Sequence, residues 1–151
     1  MKVRKASLGD VESIRALIEI HAKQDKMLSR SLSYLYENVR DYLVAEEGGV
    51  VVGCCALHIS WRDLAEVKSL AVRPDYHRKG VGKALLAAAL DEARGMGVPR
   101  VFTLTLEKDF FIKHGFREIP KEELPMKIWG ECINCPKHPE CDETALVYDV
   151  R

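Results

Sequence analysis

The chain has 151 residues, of which 47% are hydrophobic and 30% charged, and its 23 basic residues balance its 23 acidic ones. A chain of this length can bury a real core, so we expect a single domain over residues 1–151. The balanced charge and the lack of a long apolar run argue against nucleic acid or a membrane as partner. With no signal-peptide pattern and five cysteines that do not suit a secreted disulfide framework, we expect a cytoplasmic protein.

Apolar spacing along the chain predicts strands that dominate the middle and helices that cover them. We expect helices at 11–21, 32–39, 81–94 and 110–114, and strands at 3–6, 42–45, 50–59, 64–72, 101–106, 116–119 and 144–150. An irregular segment with prolines and three cysteines separates the last two strands. The pattern predicts an α/β (α+β) protein built on one sheet of mixed strand direction.

A glycine-containing turn lies between the strand predicted at 64–72 and the helix predicted at 81–94. Its residues are His77-Arg78-Lys79-Gly80-Val81-Gly82-Lys83. Two glycines with cations beside them allow successive backbone N–H groups to face one anion. The start of the following helix adds unpaired donors and a positive dipole end. The turn therefore predicts a site for the pyrophosphate of a nucleotide-bearing cofactor.

Two segments together resemble the GNAT N-acetyltransferases. The stretch from Leu70 to Leu86 looks like the acetyl-CoA loop of that superfamily, and Phe110-Phe111-Ile112-Lys113-His114-Gly115-Phe116 looks like its short helix and following "GF" strand. The resemblance implies the GNAT fold, a single, mostly antiparallel central sheet flanked by helices, with acetyl-CoA as cosubstrate. It assigns cofactor binding to Leu70, Ala71, Val72, His77, Arg78, Lys79, Gly80, Val81, Gly82, Lys83 and Ala84.

A narrower resemblance connects the chain to short, stand-alone N-acetylglutamate synthases. It rests on Leu28-Ser29-Arg30-Ser31, on the stretch from Ala65 to Val72, and on the segment that ends in Cys141-Asp142-Glu143. The resemblance implies transfer of an acetyl group to a small amino acid, most of all L-glutamate, at the head of arginine biosynthesis. Arg30 occupies the position at which the related synthases bind glutamate. Lys68 is the second candidate for binding the substrate, because a carboxylate needs a cation.

Glu66 is the candidate general base. The histone acetyltransferase branch of the superfamily carries a catalytic glutamate at an equivalent strand position, and acetyl transfer needs a group to take a proton from the amine. Strand alternation places Glu66, Lys68, Leu70 and Val72 on one face unless a bulge intervenes. The alternative is an ion pair between Glu66 and Lys68 at the surface.

Phe111 stands where many GNAT enzymes have a general-acid tyrosine. A phenyl ring cannot donate a proton, so that role is vacant or filled elsewhere, and the CoA thiolate can leave without help. Tyr34, Tyr36 and Tyr76 carry no specific signal for the role.

Cys132, Cys135, His138 and Cys141 are spaced as a Cys₃His zinc site would be. A disulfide, free structural thiols and a redox-sensitive loop are the alternatives. Cys54 and Cys55 lie in an apolar strand and are expected to be buried thiols.

Two other functions fit the same residues. The acceptor could be another small amine or a protein N-terminus, or the domain could bind acyl-CoA or sense thiols without catalysis. The expected partners are acetyl-CoA and a small-molecule amine, and the sequence leaves a homodimer open.

Overall fold

A computed structural model describes residues 1–125 and 143–150 of the chain. The four helices of this part are α1 (Val11–Ala22), α2 (Leu32–Glu37), α3 (Val81–Gly95) and α4 (Lys108–Lys113). Its seven strands are β1 (Lys2–Lys5), β2 (Tyr42–Glu47), β3 (Val50–Trp61), β4 (Leu64–Val72), β5 (Arg100–Thr105), β6 (Arg117–Ile119) and β7 (Thr144–Asp149). In the described residues, no helix is both long and apolar enough to cross a membrane.

The seven strands form one sheet in the order β1-β2-β3-β4-β5-β7-β6. Within the described part of the chain, β4 and β5 are the one parallel pair, and every other neighbouring pair is antiparallel. This is the mixed, mostly antiparallel sheet that the sequence predicted. A parallel neighbour requires a crossover connection, and α3 supplies it between β4 and β5.

The sheet is covered on both faces. The apolar stripes of α1 and α2 pack with Val44, Cys54 and Ala71 on one face. On the other face α3 packs with Leu57 and Val67 of the central strands. The sheet is therefore the middle of three layers.

The start of α1 is fixed by a charged cluster. The Asp10 carboxylate accepts hydrogen bonds from the Ser7 backbone N–H at 2.7 Å and from the Arg4 guanidinium at 2.7 Å. Arg4 also donates to Glu46 on β2. The Arg4 guanidinium lowers the pKa of Asp10 to about 2. The capping box formed by Ser7 and Asp10, together with Arg4, thus ties the start of α1 to β1 and β2.

Most predicted element bounds differ from the observed ones by one or two residues. At α2 the helix ends at Glu37, two residues earlier than predicted, because residues Val39–Asp41 continue as a separate 3₁₀ turn. The strand predicted at 64–72 is observed with those bounds.

Candidate active site

A cleft opens where β4 and β5 separate. Their backbone pairing consists of Ala65 with Val101 and Glu66 with Phe102. Beyond it, the Thr103 hydroxyl donates a hydrogen bond to the Val67 carbonyl at 2.8 Å. The cleft has a volume of about 1100 Å³. It is large enough for a ligand of cofactor size with a second small molecule beside it.

A bulge in β4 changes which side chains share a face. The β3–β4 register shifts between Cys54 and Ala56, and Ser69 opposite this shift has a φ of 56°. The Tyr42 hydroxyl donates to Ser69 Oγ at 3.1 Å and ties the bulge to β2. A serine seldom adopts this left-handed conformation, so the surrounding contacts hold it there.

The bulge is the exception that the sequence analysis allowed, so Glu66, Lys68, Leu70 and Val72 do not share one face. Lys68 pairs with Ala56 on the α1–α2 face, as Glu66 does with His58. Leu70 and Val72 pack on the α3 face instead. The extra residue of the bulge shifts the alternation by one, so the even-numbered side chains face α1 and α2 before the bulge and α3 after it.

The loop after β4 has the backbone shape of an anion cradle. Arg78 and Gly80 have φ values of 64° and 83°, and α3 begins at the next residue, Val81. Alternating left-handed residues turn neighbouring N–H groups toward one side, and the start of α3 adds its unpaired donors. A Cβ on Gly80 would meet no atom within 4 Å, so the positive φ is the reason for glycine there.

Two histidines meet at the Val72 carbonyl. His21 Nε2 lies 2.9 Å and His77 Nε2 lies 3.1 Å from this oxygen, and the two rings stack with centroids 5.9 Å apart. Since the carbonyl can only accept, both imidazoles donate from Nε2. His77 is thus directed toward β4, and the side-chain cations of the cradle that line the cleft are Arg78 and Lys83.

His21 was not expected at the site. The sequence placed it in the apolar stripe of α1, and it is indeed buried. The sequence signal that could have identified His21 is its position at the end of an apolar stripe, because a buried imidazole there needs a hydrogen-bond partner.

Glu66 and two cations line the side of the cleft next to α1 and α2. Glu66 is 8% exposed and stands at the point where the strands part. Lys68 follows two residues later on the same face, and Arg30 approaches from the segment before α2. The Arg30 Cζ atom lies 4.6 Å from the centroid of the Tyr34 ring, and Lys68 Nζ lies 5.6 Å from it. Positive charge is thus concentrated beside a carboxylate.

The other predicted residues divide into three groups. Leu70, Val72, Gly80, Val81 and Gly82 also line the cleft, whereas Ala71, Lys79 and Ala84 do not. Cys132, Cys135, His138 and Cys141 lie outside the described residues, so the zinc site stays a prediction. Within residues 1–125 and 143–150, no group of three or more His, Cys, Asp or Glu side chains could hold a metal ion.

Phe111 lines the cleft, but it is 3% exposed and packs edge-on against Phe116. His114, three residues on, also lines the cleft. Burial, and then the nearby charges of Lys113 and Lys83, lower the pKa of the His114 imidazole. The lowered pKa favours the neutral form of this imidazole, which follows Phe111 by three residues.

Comparison with known proteins places the chain in a family. A model of the acetyltransferase (GNAT) family matches residues 10–116. The chain belongs to this family and is an acetyl-CoA-dependent N-acetyltransferase, an acyltransferase enzyme, as the two resembling segments implied. Acetyl-CoA is its cosubstrate.

Several relatives are similar over most of the chain. An uncharacterized N-acetyltransferase of Chlorobaculum tepidum is 43% identical, covering 96% of this chain and 94% of the relative. An amino-acid acetyltransferase of Mycobacterium tuberculosis is 39% identical, covering 85% of this chain and 75% of the relative.

A solved structure of a related enzyme has the same fold as this chain. An N-acetylglutamate synthase of Neisseria gonorrhoeae, complexed with coenzyme A and N-acetyl-glutamate, superposes with a TM-score of 0.91 at 31% identity. That comparison covers 99% of this chain and 35% of the synthase. This chain therefore corresponds to about a third of the synthase.

Proposed function

We propose that this enzyme acetylates the α-amino group of L-glutamate. The observation that carries the proposal is the grouping of Arg30 and Lys68 on the side of β4 that carries Glu66. A dicarboxylic amino acid brings two carboxylates and needs cations to hold them, Arg for a bidentate grip and Lys for a point charge. Relatives named amino-acid acetyltransferase, and a structural neighbour that holds N-acetyl-glutamate, support this choice.

The cofactor would lie along the α3 side of the cleft. Its pyrophosphate suits the N–H groups between Arg78 and Val81, with the positive end of α3 behind them. Its pantetheine chain would run along the edge of β4 near Leu70 and Val72. Because two imidazoles already use the Val72 carbonyl, pantetheine there either pairs with backbone N–H groups or displaces one imidazole.

The reaction joins the two sides of the cleft where β4 leaves β5. Glu66, directly or through a water, takes a proton from the substrate ammonium group, and the neutral amine attacks the thioester carbonyl. Backbone N–H groups of the parted strands stabilise the oxyanion. Attack forms the C–N bond of this tetrahedral intermediate, which then collapses by breaking the C–S bond. CoA leaves as a thiolate, which needs no acid, and the second proton of the amine nitrogen passes to solvent, from which the thiolate is protonated to the free thiol. The product, N-acetylglutamate, would enter arginine biosynthesis.

Initial rates with a panel of acceptors test the substrate. Free CoA thiol is followed with acetyl-CoA and glutamate, glutamine, aspartate, alanine or a short peptide, and each product is identified by mass spectrometry. We expect the highest kcat/KM for glutamate. Faster turnover of alanine or of the peptide would contradict the proposal, and no thiol release with any acceptor would exclude amino-acid acetylation.

Glu66→Gln tests the base. We expect kcat to fall by about 10²–10⁴-fold, the usual contribution of a general base. The matched control is Glu107→Gln, because Glu107 is an exposed carboxylate that lines the same cleft. Full activity of Glu66→Gln across the pH range would remove Glu66 from the mechanism.

A further inference from the structure

The Tyr34 ring connects two cations that come from different parts of the chain. Arg30 precedes α2, and Lys68 lies on β4, 38 residues later. Both charged groups stand within about 6 Å of the ring centroid, the distance at which a cation is attracted to an aromatic ring. Both side chains line the cleft. One ring is therefore shared by the two residues that the proposed function assigns to substrate carboxylates.

The backbone of Tyr34 is held firmly. Its N–H donates to the Ser31 hydroxyl at 3.0 Å, which caps the start of α2. Its carbonyl accepts a hydrogen bond from the Asn38 side-chain amide at 2.8 Å. The ring itself is partly buried against the apolar cluster beneath α1 and α2. The ring is thus held by α2 and the core, whereas arginine and lysine side chains are long and have many rotamers.

Two cations do not converge by themselves. Like charges repel, and each gains hydration by turning to solvent. The negative face of an aromatic ring offsets this repulsion and gives each cation a preferred position. A ring that contacts both charged groups narrows the rotamers of Arg30 and Lys68, so a substrate has less to order on binding.

We propose that Tyr34 is a positioning residue that holds Arg30 and Lys68 ready for an acceptor with two carboxylates. The inference rests on the proposed function and deepens it, because it assigns the preference for dicarboxylic over monocarboxylic amino acids to the ring. The aromatic face performs the task, and the hydroxyl is dispensable.

The test compares Tyr34→Leu with Tyr34→Phe. Leucine keeps apolar bulk but has no ring, so KM for glutamate should rise about ten-fold, the sum of two cation–π contacts. The preference for glutamate over alanine should fall with it, while KM for acetyl-CoA and the Tm stay near wild type. Phenylalanine keeps the ring and should stay within about two-fold of wild type. Tyr36→Leu is the control, since Tyr36 lies on the same helix and is 44% exposed.

Three kinetic results would overturn the proposal. The first is an unchanged KM for glutamate in Tyr34→Leu. The second is a defect in Tyr34→Phe as large as that in Tyr34→Leu, which would assign the effect to the hydroxyl. The third is additivity of Tyr34→Leu and Lys68→Met, because residues that act together show coupled effects in a double-mutant cycle.

Measurements of glutarate binding test the role of the Tyr34 ring independently of glutamate acetylation. Glutarate has two carboxylates and no amine, so calorimetry measures its affinity without turnover. If no amino acid is acetylated but glutarate binds wild type more tightly than Tyr34→Leu, the proposed function fails and the role of the ring stands. If glutamate is acetylated but both proteins bind glutarate equally, the role of the ring fails alone. Absence of glutarate binding to wild type counts against the ring as well.

Discussion

Substitution of Gly53 by alanine tests how closely α3 must approach the sheet for the loop between β4 and α3 to form. Gly53 lies on β3 opposite Val72, beneath the first turns of α3. A Cβ at this position would lie 2.9 Å from Leu85 Cδ1, 2.9 Å from Val81 Cγ1 and 3.4 Å from the Ala71 carbonyl oxygen. Leu85 can rotate away, but the β-branched Val81 has little rotamer freedom in a helix.

The size of the effect follows from these distances. Carbon atoms pack at about 3.5–4.0 Å, so the first turn of α3 must recede by at least about 0.6 Å. Added bulk in a packed core costs about 1–3 kcal/mol of unfolding free energy. For a chain of this length, 2 kcal/mol lowers the Tm by about 4–8 °C. Val81 directly follows the loop that ends at Gly80, so KM for acetyl-CoA should rise several-fold.

Urea unfolding, the Tm and initial rates measure these effects, with Gly95→Ala as the matched control. Gly95 is the last residue of α3, and a Cβ there meets no atom within 4 Å. Alanine at this position should leave KM for acetyl-CoA unchanged and add up to about 1 kcal/mol of stability. KM for the acceptor should change little in either variant, because Arg30 and Lys68 lie away from α3. A Gly53→Ala protein with wild-type Tm and wild-type KM for acetyl-CoA would refute the reasoning.

Two further predictions concern titration and thiol chemistry. The pKa of Asp10 is held at about 2 by Arg4, below the unfolded value, so its contribution of about 2 kcal/mol is complete above pH 4 and is lost as the pH falls toward 2. Asp10→Asn should lower the unfolding free energy by about that amount at pH 7, and an undiminished gap at pH 2 would contradict this. Burial raises the pKa of the Cys54 thiol to about 12 and also raises that of Cys55. Iodoacetamide at pH 8 should therefore label neither cysteine until urea unfolds the protein, as read by peptide mass spectrometry, and labelling of either in the native protein would contradict the burial.

Local signals predicted the frame of the site well. The bounds of β4 were predicted correctly because Arg73-Pro74 stops a strand-like run. The helix after the glycine turn was predicted to within one residue of α3, because its apolar stripe and the terminal glycines mark both ends. Each of these signals lies within a few residues of the structure that it specifies.

Local sequence signals did not predict the bulge at Ser69. Serine has no preference for a positive φ, and nothing in the stretch from Ala65 to Val72 announces an extra residue. The conformation depends on the pairing with β3 and on the hydroxyl of Tyr42, 27 residues away in the chain. Simple alternation would put Glu66 and Val72 on one face, and the bulge places them on opposite faces.

The class of enzyme and its cosubstrate are readable from consecutive residues, because the turn from His77 to Lys83 and the segment from Phe110 to Phe116 carry family patterns. Which side chains line the cleft beside Glu66 depends on the packed fold. It brings Lys68 to the ring of Tyr34 and directs His77 to the Val72 carbonyl. These contacts join residues distant in the chain, and their geometry depends on how strands and helices pack, which no local pattern specifies.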